Sequence, residues 1–404
     1  DLAVKDLVHG AFSHSGQKCS ATSLAIVQRD VYDNERFRYQ LRDAAESLCV
    51  ASAWNLSTDV VPLIREPESD LYRALTQLDE GERWLLEPKR VDDNPRLWSP
   101  GIRLGVKPGS WFHRTECFGP VLGVIAVDTI DQAIQIQNDN AFGLTGGMHS
   151  LDASEIKTWC ESVEVGNAYV NRQTTGAIVR RQPFGGWKHS AVGPGAKAGG
   201  PNYVSAFRDW FDDSSPKKRR SPGDPVCQVV SRLSGLLESD SDRLMLSDAA
   251  ESYGYWWTEH FAREHDPSAV LGEANLFRYR PISFHAVRLP GFGINMLDLM
   301  RAAIACHVSG VPLHVSYADD AGPIRELQEI IPIDLYREPL TDFVRRISAL
   351  KSGSVRMLGE KPSGIIRSLH ATGHRVVPAS CTSNGRLELL NYVLEQTVSC
   401  LLYT

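Results

Sequence analysis

Two rhythms of apolar positions run along this chain. Leu2, Val4, Leu7, Val8, Ala11 and Phe12 recur at helical spacing, so the first dozen residues predict a helix. From Phe12 to about residue 210, short β-rich runs alternate with helical periods. Residues 23 to 28 (SLAIVQ), 121 to 127 (VLGVIAV) and 165 to 170 predict strands. Stretches near 34 to 50, 67 to 78, 129 to 138 and 152 to 162 predict helices, several opened by Asn, Asp or Pro at cap or first-turn positions. This is an α/β pattern.

The alternation resumes further on. Long helical patterns at 226 to 262 precede a strand at 281 to 289 and a helix at 294 to 308. A strand at 311 to 317, helices near 321 to 331 and 340 to 350, and a strand at 374 to 379 follow. Strands separated by helices of this length predict a second, doubly wound parallel sheet. Between the two regions, residues 212 to 225 (DDSSPKKRRSPGDP) lack apolar periodicity and read as an exposed linker. The expected organisation is a first domain over 1–211, a linker over 212–225 and a second domain over 226–404.

A length of 404 residues agrees with more than one core, since single domains run to roughly 100–150 residues. A net charge of −6 with 23% charged residues excludes neither region from ordinary globular folding and gives no nucleic-acid footprint. The run Lys217-Lys218-Arg219-Arg220, flanked by Asp212, Asp213 and Asp224, reads as a solvated stretch rather than a basic patch. No apolar run reaches the roughly 18 residues of a membrane span, which makes the cytoplasm the expected location. Eight cysteines are scattered without C-x-x-C or metal-ligand spacing, as expected of free thiols and no metal site. The opening Asp1-Leu2-Ala3 lacks Met, and a longer parent protein is expected.

Chemistry concentrates at few positions. Cys19 follows the first helix at a glycine-containing turn and precedes an apolar strand, with Lys18 beside it to favour the thiolate. Taken alone, it is as readily a small buried thiol. His14 could be offered as its base, but reads as a hydrated surface histidine. Tyr253, Tyr255, Trp256 and Trp257 sit at helical spacing and read as core. In the second region Gly291-Phe292-Gly293 lacks the third glycine of a dinucleotide fingerprint.

Three motifs share an order and spacing. They are F-x-x-x-G-Q-x-C at 12 to 19, Glu116-Cys-Phe-Gly-Pro120, and Gln182-Pro-Phe-Gly-Gly186. With residues 171 to 179 (NRQTTGAIV) and 193 to 204 (GPGAKAGGPNYV), the chain resembles the aldehyde dehydrogenase superfamily. Within it, the chain is similar to the glutamate-γ-semialdehyde (pyrroline-5-carboxylate) dehydrogenases, above all the C-terminal part of bifunctional proline-utilisation proteins. Residues 272 to 281 (GEANLFRYRP) and 384 to 399 (NGRLELLNYVLEQTVS) look like the extra C-terminal domain of the longer members.

The resemblance implies an NAD-linked oxidation of glutamate γ-semialdehyde to glutamate. It makes Cys19 the nucleophile, whose own backbone N–H is an oxyanion donor. Glu116 is implied to bind the nicotinamide ribose and Phe118 to pack near the nicotinamide. Gly176 and Ala177 are implied to hold the substrate's α-carboxylate through backbone N–H groups, helped by Lys18 and Ser20, with Phe184 along the aliphatic stem. Cys117 falls at a variable position and reads as packing. The resemblance assigns the general-base glutamate, the second oxyanion donor and most of the NAD site to sequence upstream of Asp1, so these 404 residues alone are expected to be inactive. FAD would belong only to an upstream proline dehydrogenase domain, and a homo-oligomer is the expected assembly. The competing expectations are an aldehyde dehydrogenase for another substrate, and a non-catalytic scaffold or lid.

Overall fold

The computed structural model describes residues 1–401 apart from 192, 194, 213, 214, 222 and 319–321. Pro194, Asp213, Ser214, Pro222 and Ala321, which fall in stretches read above, therefore lie outside the described residues. Contacts divide the chain into two compact units. The first holds Asp1–Ser190, Pro267–Asn275 and the C-terminal segment from Thr397; the second holds Ala191–Asp266 and Leu276–Gln396.

In the first unit, the run Val121–Val127 is apolar on both sides because both faces are covered, as in a parallel sheet flanked by helices. It pairs in parallel with Leu24–Gln28 on one side and Gly101–Leu104 on the other; Arg83–Leu86 closes the sheet antiparallel. The helix Leu2–Phe12 lays Val4, Val8, Ala11 and Phe12 on Leu41, Ala45, Ile102, Leu122 and Val124. Helices Glu35–Glu46, Ile130–Asn138 and Ala153–Ser162 begin where the Asn34, Thr129 and Asp152 side chains accept first-turn N–H bonds. A second parallel ladder joins Thr145–Met148 to Asn167–Val170, and Asn167–Val170 to Thr397–Cys400. These ladders carry the loops on which the candidate site is built.

The second unit contains a five-stranded parallel sheet in the order Asp334–Arg337, Leu313–Tyr317, His285–Arg288, Ser354–Met357, Arg375–Val377. By chain order this is 3-2-1-4-5, a doubly wound arrangement. Its largest core packs the helices Asp240–Trp256 and Met296–Ser309; Tyr253 is buried in it and Trp256 and Trp257 pack against it, whereas Tyr255, expected with them, is not among its residues.

The stretch expected as a linker behaves differently. Asp212 accepts from the Ser383 N–H and hydroxyl and pairs with Arg301 at 3.0 Å. Arg219 and Arg220 pair with Asp248 and Glu259, and the helix Asp224–Ser234 begins inside the stretch. The charges that suggested solvation are therefore partly engaged with the second unit. The division falls at Ser190/Ala191, upstream of 212–225.

Candidate active site

The turn carrying Cys19 is set by backbone constraint. After the helix Leu2–Phe12, His14, Ser15 and Gly16 take left-handed φ values of 55°, 58° and 66°. For residues with a Cβ that region costs roughly 1–2 kcal/mol each, so the surroundings must enforce it. Gly16 is required twice over: besides its φ, a Cβ there would lie 2.1 Å from the Gly119 carbonyl oxygen. The Cys19 turn is thereby pressed against the turn that carries Glu116 and Phe118. Gln17 fastens the same junction, donating to the Phe118 carbonyl at 3.1 Å and accepting from the Ile64 N–H at 3.0 Å.

Ala21 N–H donates to the Lys18 carbonyl at 3.0 Å, closing a tight turn with Cys19 and Ser20 at its centre. Cys19 is exposed, Lys18 half-buried and Ser20 buried. His14 is exposed. Beneath the turn, burial pushes the Tyr169 phenol up to about 12, with the Arg172 charge opposing and the Cys19 charge adding to it. Glu116 and Phe118 are both exposed, and Phe118 takes a left-handed φ of 59°. Between them Cys117 is buried, and desolvation pushes its thiol up to about 12. It is packing, and as a thiol it is inert.

The segment 174 to 177 is tied to the Cys19 turn by one hydroxyl. Thr174 Oγ1 donates to the Ser20 carbonyl at 3.0 Å and lies 2.9 Å from Thr22 Oγ1. Gly176, with φ of 81°, and Ala177 are exposed, and their backbone N–H groups take no partner among the described residues. Just beyond, buried Gln182 accepts from the Ile178 N–H at 2.9 Å and donates to Asn275 at 2.6 Å, which closes the loop behind Ala177. Phe184 is half-buried and joins the site indirectly. Asn167 donates to the Pro183 carbonyl at 3.1 Å and accepts from the Gly185 N–H at 3.2 Å, gripping both sides of Phe184.

The structure thus links the Cys19 turn to the Glu116–Phe118 turn through Gly16 and Gln17, and to Gly176–Ala177 through Thr174. Thr22, Thr174 and Asn167 were missed as site residues. Asn167 carried one signal, a single amide inside an otherwise apolar strand run. Among the described residues no cluster of His, Cys, Asp or Glu could hold a metal ion, and no helix is long and apolar enough to cross a membrane.

Comparison with known proteins locates this arrangement. The chain is 35% identical over 205 residues to the 1-pyrroline-5-carboxylate dehydrogenase of Bacillus subtilis (strain 168), covering 50% of this chain and 39% of that protein. The enzyme of the same name from Bacillus thuringiensis (strain Al Hakam) is 36% identical over 206 residues, covering 51% and 39%. The chain therefore spans about two fifths of the length of these curated relatives. Among solved structures, Proline Utilization A (PutA) from Corynebacterium freiburgense matches 100% of this chain and 37% of its own, at 38% identity and a TM-score of 0.81. The sequence profile of the aldehyde dehydrogenase family matches residues 1–210, the part that holds the Cys19, Glu116 and Gly176 turns, and the chain belongs to that family.

Proposed function

We propose that this chain supplies the nucleophile and the substrate anchor of an NAD-linked dehydrogenase that oxidises L-glutamate γ-semialdehyde to L-glutamate. The relatives named 1-pyrroline-5-carboxylate dehydrogenase support the substrate class. The observation that carries the reading is the link between the exposed Cys19 turn and a Gly-Ala segment whose N–H groups are open. A substrate with an aldehyde at one end and an α-carboxylate at the other needs both.

In this reading the Cys19 thiolate attacks the aldehyde carbon to give a thiohemiacetal, whose oxyanion the Cys19 N–H stabilises. NAD, when bound, supplies the hydride acceptor. Cys19 then carries a thioester, which water hydrolyses to the carboxylate. The residues present fit the cofactor: Glu116 offers an exposed carboxylate to ribose hydroxyls and Phe118 an exposed ring, on a turn locked to the Cys19 turn. Family resemblance adds a homo-oligomeric assembly and a cytoplasmic location, and reserves FAD for a separate proline dehydrogenase domain.

The second unit is proposed to have no chemistry of its own. At the carboxyl ends of its strands, Arg288 donates to Ser316 at 2.7 Å and to the Glu338 carbonyl at 2.8 Å, while Arg346 grips the Glu338 carboxylate. In open α/β sheets that edge is where ligands bind, and here charged side chains pair with one another.

The anchor is tested by Ala177→Pro, which deletes one N–H donor. An unmade hydrogen bond to a charged group costs about 1.5–3 kcal/mol, so kcat/KM for the semialdehyde in the full-length protein should fall roughly 10- to 150-fold. A simple aliphatic aldehyde should lose much less. Equal losses for both substrates would refute the anchor.

A further inference from the structure

Thr174 holds more than a loop. Its hydroxyl has one proton, and that proton goes to the Ser20 carbonyl, so the Thr22 hydroxyl donates to Thr174 Oγ1. The Ser20 carbonyl and the Ala21 N–H belong to the same peptide group. Its N–H end is fixed by the Lys18 carbonyl at 3.0 Å and its carbonyl end by Thr174 at 3.0 Å. Fixing both ends fixes the plane of that amide, and with it the turn from which the Cys19 thiol projects.

The side chain that does this is itself held. A Cβ added at Gly147 would lie 2.9 Å from Thr174 Cγ2, so the threonine methyl packs on bare backbone of the strand Thr145–Met148. Its methyl and hydroxyl are therefore assigned to opposite sides, one to that strand and one to the nucleophile turn. Two residues on stands Gly176, the first residue of the proposed anchor.

We propose that Thr174 is a positioning residue that sets specificity: its hydroxyl holds the 174–177 segment in fixed register with the Cys19 turn, so that a carboxylate held at Gly176–Ala177 aligns the substrate's aldehyde with the thiol. Head-group recognition is then expressed in kcat more than in affinity. The proposal rests on the reading of Gly176–Ala177 as the anchor.

The test compares Thr174→Val, which keeps the shape and removes the donor, with Thr174→Ser, which keeps the donor. Steady-state kinetics of the full-length protein are measured with glutamate semialdehyde and with propanal, beside Ala177→Pro. Thr174→Val should lower kcat for the semialdehyde about tenfold, with KM changed less than about twofold, the size expected for one lost hydrogen bond. The kcat for propanal should fall no more than about threefold, and Thr174→Ser should recover most of the semialdehyde rate. A loss confined to KM, or the same fractional loss of kcat with both aldehydes, overturns the proposal while Ala177→Pro still discriminates between them. If Ala177→Pro does not discriminate, the anchor reading fails and this proposal with it.

Discussion

The exposed turns of the first unit and the buried core of the second treat polar groups in opposite ways. In the first, Cys19, Glu116, Phe118, Gly176 and Ala177 are exposed on turns, where His14, Ser15, Gly16, Phe118 and Gly176 hold left-handed backbone. In the second, charge is buried and paired. Arg356 and Glu388 meet at 2.7 Å with side chains 1% and 2% exposed, and Asn202 bridges Glu395, Tyr279 and Arg386. A buried, paired network specifies packing, whereas open donors and an exposed thiol on a strained turn are arranged for a ligand. The presence of polar residues does not mark a site; what their hydrogen-bonding capacity is left to do does.

The largest stability effect should come from breaking the second unit's pairing. Arg356→Met leaves the Glu388 carboxylate buried without its guanidinium, which costs about 3–5 kcal/mol. Denaturant unfolding of the whole chain should show this, while the alkylation rate of Cys19 stays within about twofold of the unmodified chain. A loss under about 1 kcal/mol would mean that the pair is not holding the unit.

Next in size is Gly16→Ala in the first unit. Its Cβ meets the Gly119 backbone at a left-handed φ, with no flexible side chain to give way, so the cost should be about 3 kcal/mol. The Cys19 turn should also part from the Glu116–Phe118 turn, and the measurement is NAD affinity of the full-length protein at a temperature where the variant remains folded. Unchanged stability and affinity would show that the junction is not tight.

A smaller effect concerns pH. His260, whose Nε2 is 2.9 Å from the Tyr279 hydroxyl, is pushed down to about 4 by burial, then by the charges of Arg386 and His265, from an ordinary 6.5. Between those values the unfolded chain binds more protons than the folded one. Stability therefore rises with pH from about 4 to about 6.5 and is lost on acidification through that window. Half-exposure screens the effect, so the slope should be modest. Melting temperature against pH should be flatter in this window for His260→Gln, and an identical profile would exclude the histidine as its source. Smallest of all, Arg29→Ala removes an exposed, solvent-screened pair with Asp128 and should leave the melting temperature unchanged within error.

What the sequence made legible follows the range of the forces involved. The strand Val121–Val127 and the helices Ile130–Asn138 and Ala153–Ser162 were readable because local periodicity and caps determine them. The strand Gly101–Leu104 was missed because Arg103 interrupts it. That side chain is buried on Glu82 at 2.5 Å, a partner no local window reveals. The strand Val393–Leu401 hides in the same way, since its buried Glu395, Gln396, Thr397 and Ser399 take partners far along the chain. At the site, motif spacing identified Cys19 and Glu116, but the Thr174 bond to Ser20 spans 154 positions and leaves no periodic trace.

The central claim is that Cys19 is the nucleophile, and Cys19→Ser in the full-length protein tests it most directly. A serine hydroxyl stays protonated at neutral pH where a thiol partly ionises, so turnover of glutamate semialdehyde should be lost, at least about a thousandfold, with NAD binding nearly intact by calorimetry. Turnover within tenfold of the unmodified protein would contradict the account.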